Sequence, residues 1–143
     1  MNEETPPAAG AARWVSAWLV WAVVIGLSSH LPGETLPAQP FEGADKVLHI
    51  GAYLVLGVLG VGAVARLRPH WPRPVVGSVA LVVGALFGAL DEYHQSFVAG
   101  RDRSMEDWVA DLLGLAVAVI VARAARGGLA RAWFGLSSPP RAD

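Results

Sequence analysis

The sequence predicts an all-α fold, a polytopic membrane protein built as a four-helix transmembrane bundle. Of its 143 residues, 54% are hydrophobic and only 16% are charged, and the mean hydropathy is +0.45. Soluble domains have about 25% charged residues. The second observation is that charged residues are almost absent from four stretches: Trp14–Ser29, Val47–Ala65, Pro74–Leu90 and Leu112–Ala122. Three of these stretches approach the length of about 20 residues that spans a bilayer.

The fourth stretch has only 11 uncharged residues and needs a separate justification. Residues 108–110 extend it backward, and Arg123 and Arg126 can snorkel from its far end to the interface. We therefore predict spans at 13–30, 45–65, 74–97 and 106–126, which together form one membrane domain over 13–126. Residues 1–12 are predicted to be a flexible tail, and residues 127–143 a cytoplasmic C-terminal tail.

The positively charged residues predict the orientation. Three connecting segments separate the spans, and they are acidic and turn-rich (31–44), basic (66–74) and turn-like (98–105). One side of the membrane would carry eight basic residues, namely Arg13, Arg66, Arg68, Arg73, Arg123, Arg126, Arg131 and Arg141. The other side would carry three, namely Lys46, Arg101 and Arg103. The positive-inside rule then places both termini in the cytoplasm.

Polar residues cluster at one end of three spans, where charges are costly and usually functional. Helical spacing continues each polar group into a row of small residues, which permits close packing and directs the polar groups toward the bundle interior. We expect one outward-facing pocket that binds a ligand. Its predicted residues are Asp45, Lys46, His49, Tyr53, Asp91, Glu92, Gln95, Arg101, Asp107 and Asp111. So many carboxylates need nearby cations, such as Lys46 or Arg101.

Three chemical interpretations of this cluster stay open. The polar groups can simply hold the helices together, they can be acid/base groups of an enzyme, or they can bind a metal. Asp45 and His49 stand four residues apart, and Asp91 and His94 three apart, which is a ligand spacing known from helical bundles. The predicted ligands of any Zn, Mn or Fe ion are His49, His94 and Asp91. No other cofactor is expected.

Other kinds of site have less support. The chain has no cysteine, which excludes disulfides, thiolate metal sites and a cysteine nucleophile. Ser96 and Ser104 lie near His94 in sequence, but no strand-to-helix elbow carries either serine. Ser104 instead begins a capping box that ends at Asp107. The net charge of −1 gives no support for a nucleic-acid partner.

A combined motif that covers about residues 45–114, half of the chain, resembles the VanZ-like family, which is named for a teicoplanin-resistance protein. The motif reads Asp45-Lys46-x-x-His49-x-x-x-Tyr53, Asp91-Glu92-x-x-Gln95-x-Phe97, and Gly100-Arg101-x-x-Ser104-x-x-Asp107 followed by Gly114. Two positions depart from the family pattern. Ala99 stands where Pro is frequent, and Asp111 stands where Asn is common, which adds a carboxylate to the pocket.

The resemblance implies an integral membrane protein of the cell envelope, linked in the founding member to glycopeptide resistance. Our leading expectation is an accessory protein whose partner is a membrane lipid or an amphiphilic envelope molecule. The alternatives are a membrane enzyme that acts on a lipid-linked substrate, with Asp91, Glu92, His49 and His94 as its acid/base groups or metal ligands, and a structural or partner-binding bundle. The sequence identifies no protein partner.

Overall fold

The computed structural model describes residues 7–36, 38 and 40–124, and all regular structure within these residues is helical. The elements are listed in chain order: α1 (Pro7–Ser29), a short 3-10 turn (Gly33–Thr35), α2 (Ala44–Leu67), α3 (Arg73–Gln95) and α4 (Met105–Ala124). The predicted all-α helical bundle is confirmed.

The predicted boundary of the N-terminal tail was wrong. Residues 7–12 belong to α1, because a proline suits the first position of a helix and the alanines that follow have the highest helix propensity. The other helices begin or end within about two residues of their predicted bounds, as is usual for helix ends. Residues 125–143, which include Arg126 and the predicted C-terminal tail, lie outside the described residues.

The central helix of the bundle is α2, which packs against α1, α3 and α4, whereas α1 touches α3 only slightly. Glycines allow α2 and α4 to approach each other closely. A Cβ atom on Gly114 would collide with the Ile50 carbonyl oxygen and lie 2.8 Å from the Leu54 nitrogen. A Cβ atom on Gly57 would lie 2.7 Å from that of Ala118. Close contact of this kind replaces the hydrophobic effect as a source of helix association in lipid.

Among the described residues, three helices are long and apolar enough to cross a membrane, namely those over Gly10–Ser29, Ala44–Leu67 and Arg73–Gln95. The fourth helix, α4, carries Glu106, Asp107 and Asp111 in its first two turns and is not among these candidates. It nevertheless exposes apolar side chains such as Ile120 and Val121 along its length. A fourth span is therefore still a prediction.

Two apolar clusters fill the interior of the described part of the bundle, and one of them lies next to the polar residues. It consists of Ala22, Ile25, Tyr53, Leu56 and Leu115. The connection between α3 and α4 is fixed against the 3-10 turn, because the Gly33 N–H donates to the Ala99 carbonyl at 3.0 Å. Gly100 has a φ of +71°, in the left-handed region that favours glycine. These contacts hold the two loops together over one end of the bundle.

Candidate functional site

The predicted polar residues all lie at one end of the bundle, as the sequence indicated. The C-terminal ends of α1 and α3 meet there with the N-terminal ends of α2 and α4. Four of the polar side chains are almost fully buried: Asp91, Glu92, Gln95 and Asp111 have relative exposures of 7%, 5%, 2% and 1%. The structure divides eight of the ten predicted residues into three groups with different partners, and Tyr53 and Arg101 lie outside these groups.

The first group is a set of ion pairs around Lys46, at the start of α2. The Lys46 ammonium donates to Asp45 Oδ2 at 2.8 Å and to Asp107 Oδ1 at 2.5 Å, and it lies 3.8 Å from Glu106. The predicted capping box is confirmed, because the Asp107 N–H donates to Ser104 Oγ at 3.1 Å. Lys46 therefore ties the first turn of α4 to the first turn of α2.

The second group, which we call the carboxylate–histidine cluster, consists of His49, Glu92 and Asp111. His49 Nδ1 and Asp111 Oδ1 are hydrogen-bonded at 2.8 Å, and Glu92 Oε2 accepts the Ser104 N–H at 2.7 Å. One ligand atom from each of the three side chains lies within 4.8 Å of the other two. The cluster thus joins α2, α3 and α4.

Three buried oxygens around this cluster have no hydrogen-bond partner: Asp111 Oδ2, Glu92 Oε1 and the Tyr53 hydroxyl. Gly88 leaves room beside them, since a Cβ atom there would lie 3.0 Å from Asp111 Oδ2 and 3.2 Å from Tyr53 Cε1. Buried polar atoms are usually paired, and those that are not call for an explanation.

The third group surrounds Asp91. Its Oδ2 accepts hydrogen bonds from the Ser29 hydroxyl at 2.7 Å and from Gln95 Nε2 at 3.3 Å. Sequence analysis missed Ser29, because its role depends on which face of α1 packs on α3. His94, also on this face, is hydrogen-bonded to His30 at 3.1 Å and stacked on its ring.

The structure does not bring the predicted metal ligands His49, His94 and Asp91 together. Asp91 and His94 share the face of α3 that meets α1, whereas Glu92, one position along the helix, faces α4. Because His49 bonds to Asp111 of α4, the ligand set that forms is His49, Glu92 and Asp111.

Arg101 does not pair with the carboxylates, although the sequence predicted it as a nearby cation for them. Its guanidinium donates to the backbone carbonyls of Ser28 and Leu31, at 3.2 Å and 3.3 Å. Carbonyls at a helix C-terminus attract cations, so Arg101 caps the end of α1. The serines have no catalytic geometry either, since Ser96 donates to the Tyr93 carbonyl and Ser104 caps α4.

A groove of about 580 Å³ opens between α1, α2, α3 and the 31–44 segment. Its apolar lining includes Ile25, Leu31, Leu36, Leu48 and Ala52. Its polar lining consists of Ser28, Ser29, Asp45, His49, Tyr53, Asp91, Gln95 and Arg101. A second cavity of about 520 Å³ lies between α3 and α4, and Glu92 reaches it. Apolar walls with a few convergent polar groups are typical of a ligand site.

The fold and the site define a class: a helical membrane protein with a buried polar cluster at one end and a groove beside it. A family model described as VanZ/LLP1 matches residues 10–126, which is most of the chain, and the chain belongs to this family. No curated protein and no solved structure matches the chain significantly.

Proposed function

We propose that this protein binds an amphiphilic molecule of the cell envelope in the groove and thereby contributes to glycopeptide susceptibility of the teicoplanin type. The observation that carries the proposal is the mixed lining of the groove. Leu48 and Ala52 offer an apolar wall to an acyl or polyprenyl chain, while His49, Gln95 and Arg101 offer hydrogen bonds to its polar head.

The groove faces the outer leaflet under the proposed orientation, with all spans crossing the membrane and both termini cytoplasmic. The excess of Arg and Lys at the opposite end of the bundle supports this orientation. An amphiphile can then enter sideways from the lipid, because exposed apolar residues such as Leu48 and Leu31 flank the groove.

The test is to fill the groove and measure both binding and phenotype. Ser28 is exposed, lies in the groove and bonds only to the backbone through its hydroxyl, so Ser28→Trp obstructs the groove without entering the core. Ser16→Trp is the matched control, since Ser16 is exposed on the same helix outside the groove lining.

Lipids that copurify with each variant in mild detergent are identified by mass spectrometry, and teicoplanin susceptibility is measured in cells. Ser28→Trp should lose the bound lipid and the phenotype, and Ser16→Trp should keep both. His49→Ala, Asp91→Asn and Gln95→Ala should also lose the phenotype while the protein still inserts. An unchanged phenotype in all of these variants would leave the structural-bundle alternative.

A second candidate function is an enzyme that acts on a lipid-linked envelope substrate. The observation in its favour is the hydrogen bond between His49, which lines the groove, and Asp111, beside the unpartnered oxygen of Glu92, which reaches the cavity between α3 and α4. Such an arrangement is suited to proton transfer. Turnover of a polyprenyl-linked substrate by the purified protein, lost in Glu92→Gln, would support this candidate over simple binding.

A further inference from the structure

We propose that His49, Glu92 and Asp111 bind one divalent transition-metal ion, of the Zn²⁺ or Mn²⁺ type, between α2, α3 and α4. Three observations carry this assignment: the grouping of the donor atoms, the unpartnered buried oxygens, and the excess of negative charge in the cluster. The assignment is independent of which amphiphile the groove accepts.

The donor atoms are of the right kind and come from three different helices. One imidazole nitrogen and two carboxylate oxygens suit Zn²⁺ and Mn²⁺, whereas Mg²⁺ prefers oxygen ligands alone. These atoms lie within 4.8 Å of one another. Ligand atoms at about 2.1 Å from a tetrahedral ion are about 3.4 Å from one another. Side-chain movements of about 1 Å therefore bring the three donor atoms to bonding distance of a shared ion.

The unpartnered oxygens point to a missing ligand at this place. Asp111 Oδ2 and Glu92 Oε1 belong to side chains that are 99% and 95% buried, and each carboxylate uses its other oxygen in a hydrogen bond. A cation bound by both carboxylates would supply the partner that these oxygens lack. Gly88 keeps this space open, because a Cβ atom there would lie 3.0 Å from Asp111 Oδ2.

The charge of the cluster also calls for a cation. Two buried carboxylates lie close together, and like charges in such a site repel strongly. Lys46, the one lysine in the sequence, already pairs with Asp45 and Asp107. A divalent ion balances Glu92 and Asp111 while leaving His49 neutral and able to ligate.

Three protein ligands leave at least one coordination position open for water or another small ligand. The Tyr53 hydroxyl is buried without a hydrogen-bond partner, and His49 and Tyr53 both line the groove. Tyr53 is not one of the three grouped ligands, so its hydroxyl is not needed to hold the ion. Tyr53→Phe should therefore retain the ion.

The experiment measures metal content directly. The full chain is purified in mild detergent without chelators, and its Zn and Mn are quantified by mass spectrometry. It is then stripped with EDTA and titrated separately with ZnCl₂ and MnCl₂ while thermal unfolding is followed. The wild type should bind about one equivalent of one of these ions, with a rise in Tm that EDTA reverses.

Two ligand variants and two matched controls make the outcome specific. Glu92→Gln and Asp111→Asn should weaken binding at least about 100-fold. Asp91→Asn is the control for removal of a buried carboxylate on α3, and His94→Gln is the control for removal of a histidine; both should bind like the wild type. Size-exclusion profiles verify that each variant is folded. A wild type that takes up neither ion, or ligand variants that bind as tightly as the controls, would overturn the assignment.

Discussion

The two ends of the bundle differ in where their charged side chains lie. At the end with the groove, carboxylates are buried between helices and pair with Lys46, His49 and Ser29. At the other end, arginines lie near the surface. Arg66 stacks on the Trp14 ring at 4.3 Å, and Arg123 donates to the Pro74 carbonyl at 3.3 Å.

We interpret this difference as one between membrane anchoring at one end and the proposed binding site at the other. Arginine next to tryptophan at the edge of an apolar helix is the common arrangement at a membrane interface, where both side chains reach water or headgroups. At the carboxylate end, by contrast, Asp91, Glu92 and Asp111 are almost fully buried. Each buried, unpartnered oxygen there costs about 1–3 kcal/mol, which a purely structural cluster would have no reason to retain.

If the groove end and the arginine-rich end differ in this way, they should lie on opposite sides of the membrane. Cysteine can be introduced singly at Ala38, His70 or Ala99, because the native chain has none. All three positions are exposed in loops. An impermeant thiol reagent applied to intact cells should label Ala38→Cys and Ala99→Cys fully and leave His70→Cys unlabelled.

Permeabilised cells provide the control, because all three variants should then react. Labelling of His70→Cys alone in intact cells would reverse the orientation and turn the groove toward the cytoplasm. Labelling of Ala38→Cys without Ala99→Cys would contradict the packing of their two loops at the same end.

Helix packing next to the cluster should be the most sensitive to substitution. Gly114→Ala places a methyl group against the backbone of Ile50 and Leu54, and overpacking of this kind costs about 1–3 kcal/mol. Gly51→Ala is the matched control on α2. Its Cβ position has no neighbour within 4 Å, so the change gains up to about 1 kcal/mol of helix propensity.

Thermal unfolding in detergent measures the contrast. Gly114→Ala should lower the Tm by several degrees, and Gly51→Ala should leave it unchanged or raise it slightly. Equal stability of the two variants would mean that α2 and α4 are less closely packed than the structure has them.

Much of this fold could be predicted from sequence because lipid restricts the choices. Long uncharged segments imply helices, and the short loops between them imply antiparallel neighbours. The predicted start of the first helix was wrong because all of residues 1–12 were assigned to a flexible tail. The structure places Pro7 at the first position of α1 and Gly10 within it, and both positions tolerate those residues.

The candidate site could be predicted as a set of residues but not as a set of contacts. Spacing along α3 correctly puts Asp91 and Gln95 on one face, and these side chains do share a hydrogen bond. The spacing of residues along α3 does not determine which neighbouring helix packs against that face. The contact with Ser29, and the separation of Glu92 from Asp91, depend on how α1 and α4 pack around α3.

Substitution of Lys46 tests whether the loss of a charged side chain destabilises the protein more at the groove end than at the opposite end. Lys46→Met removes the partner of Asp45 and Asp107, of which Asp107 has only 14% of its side chain exposed. We expect a loss of about 1–3 kcal/mol in stability, because one carboxylate is left partly buried without a cation. Arg68→Met at the opposite end should change it by less than about 0.5 kcal/mol, as is usual for exposed residues.

The smallest expected effect belongs to Arg101, and it separates two roles of that residue. In the structure Arg101 caps α1 through the carbonyls of Ser28 and Leu31, a role that needs a cation but not a planar fork. Arg101→Lys should then cost less than about 1 kcal/mol and preserve the phenotype, while Arg101→Met should lower the Tm further. If Arg101→Lys loses lipid binding and phenotype while its Tm is that of the wild type, the guanidinium contacts an anionic headgroup bidentately, and lysine cannot replace it.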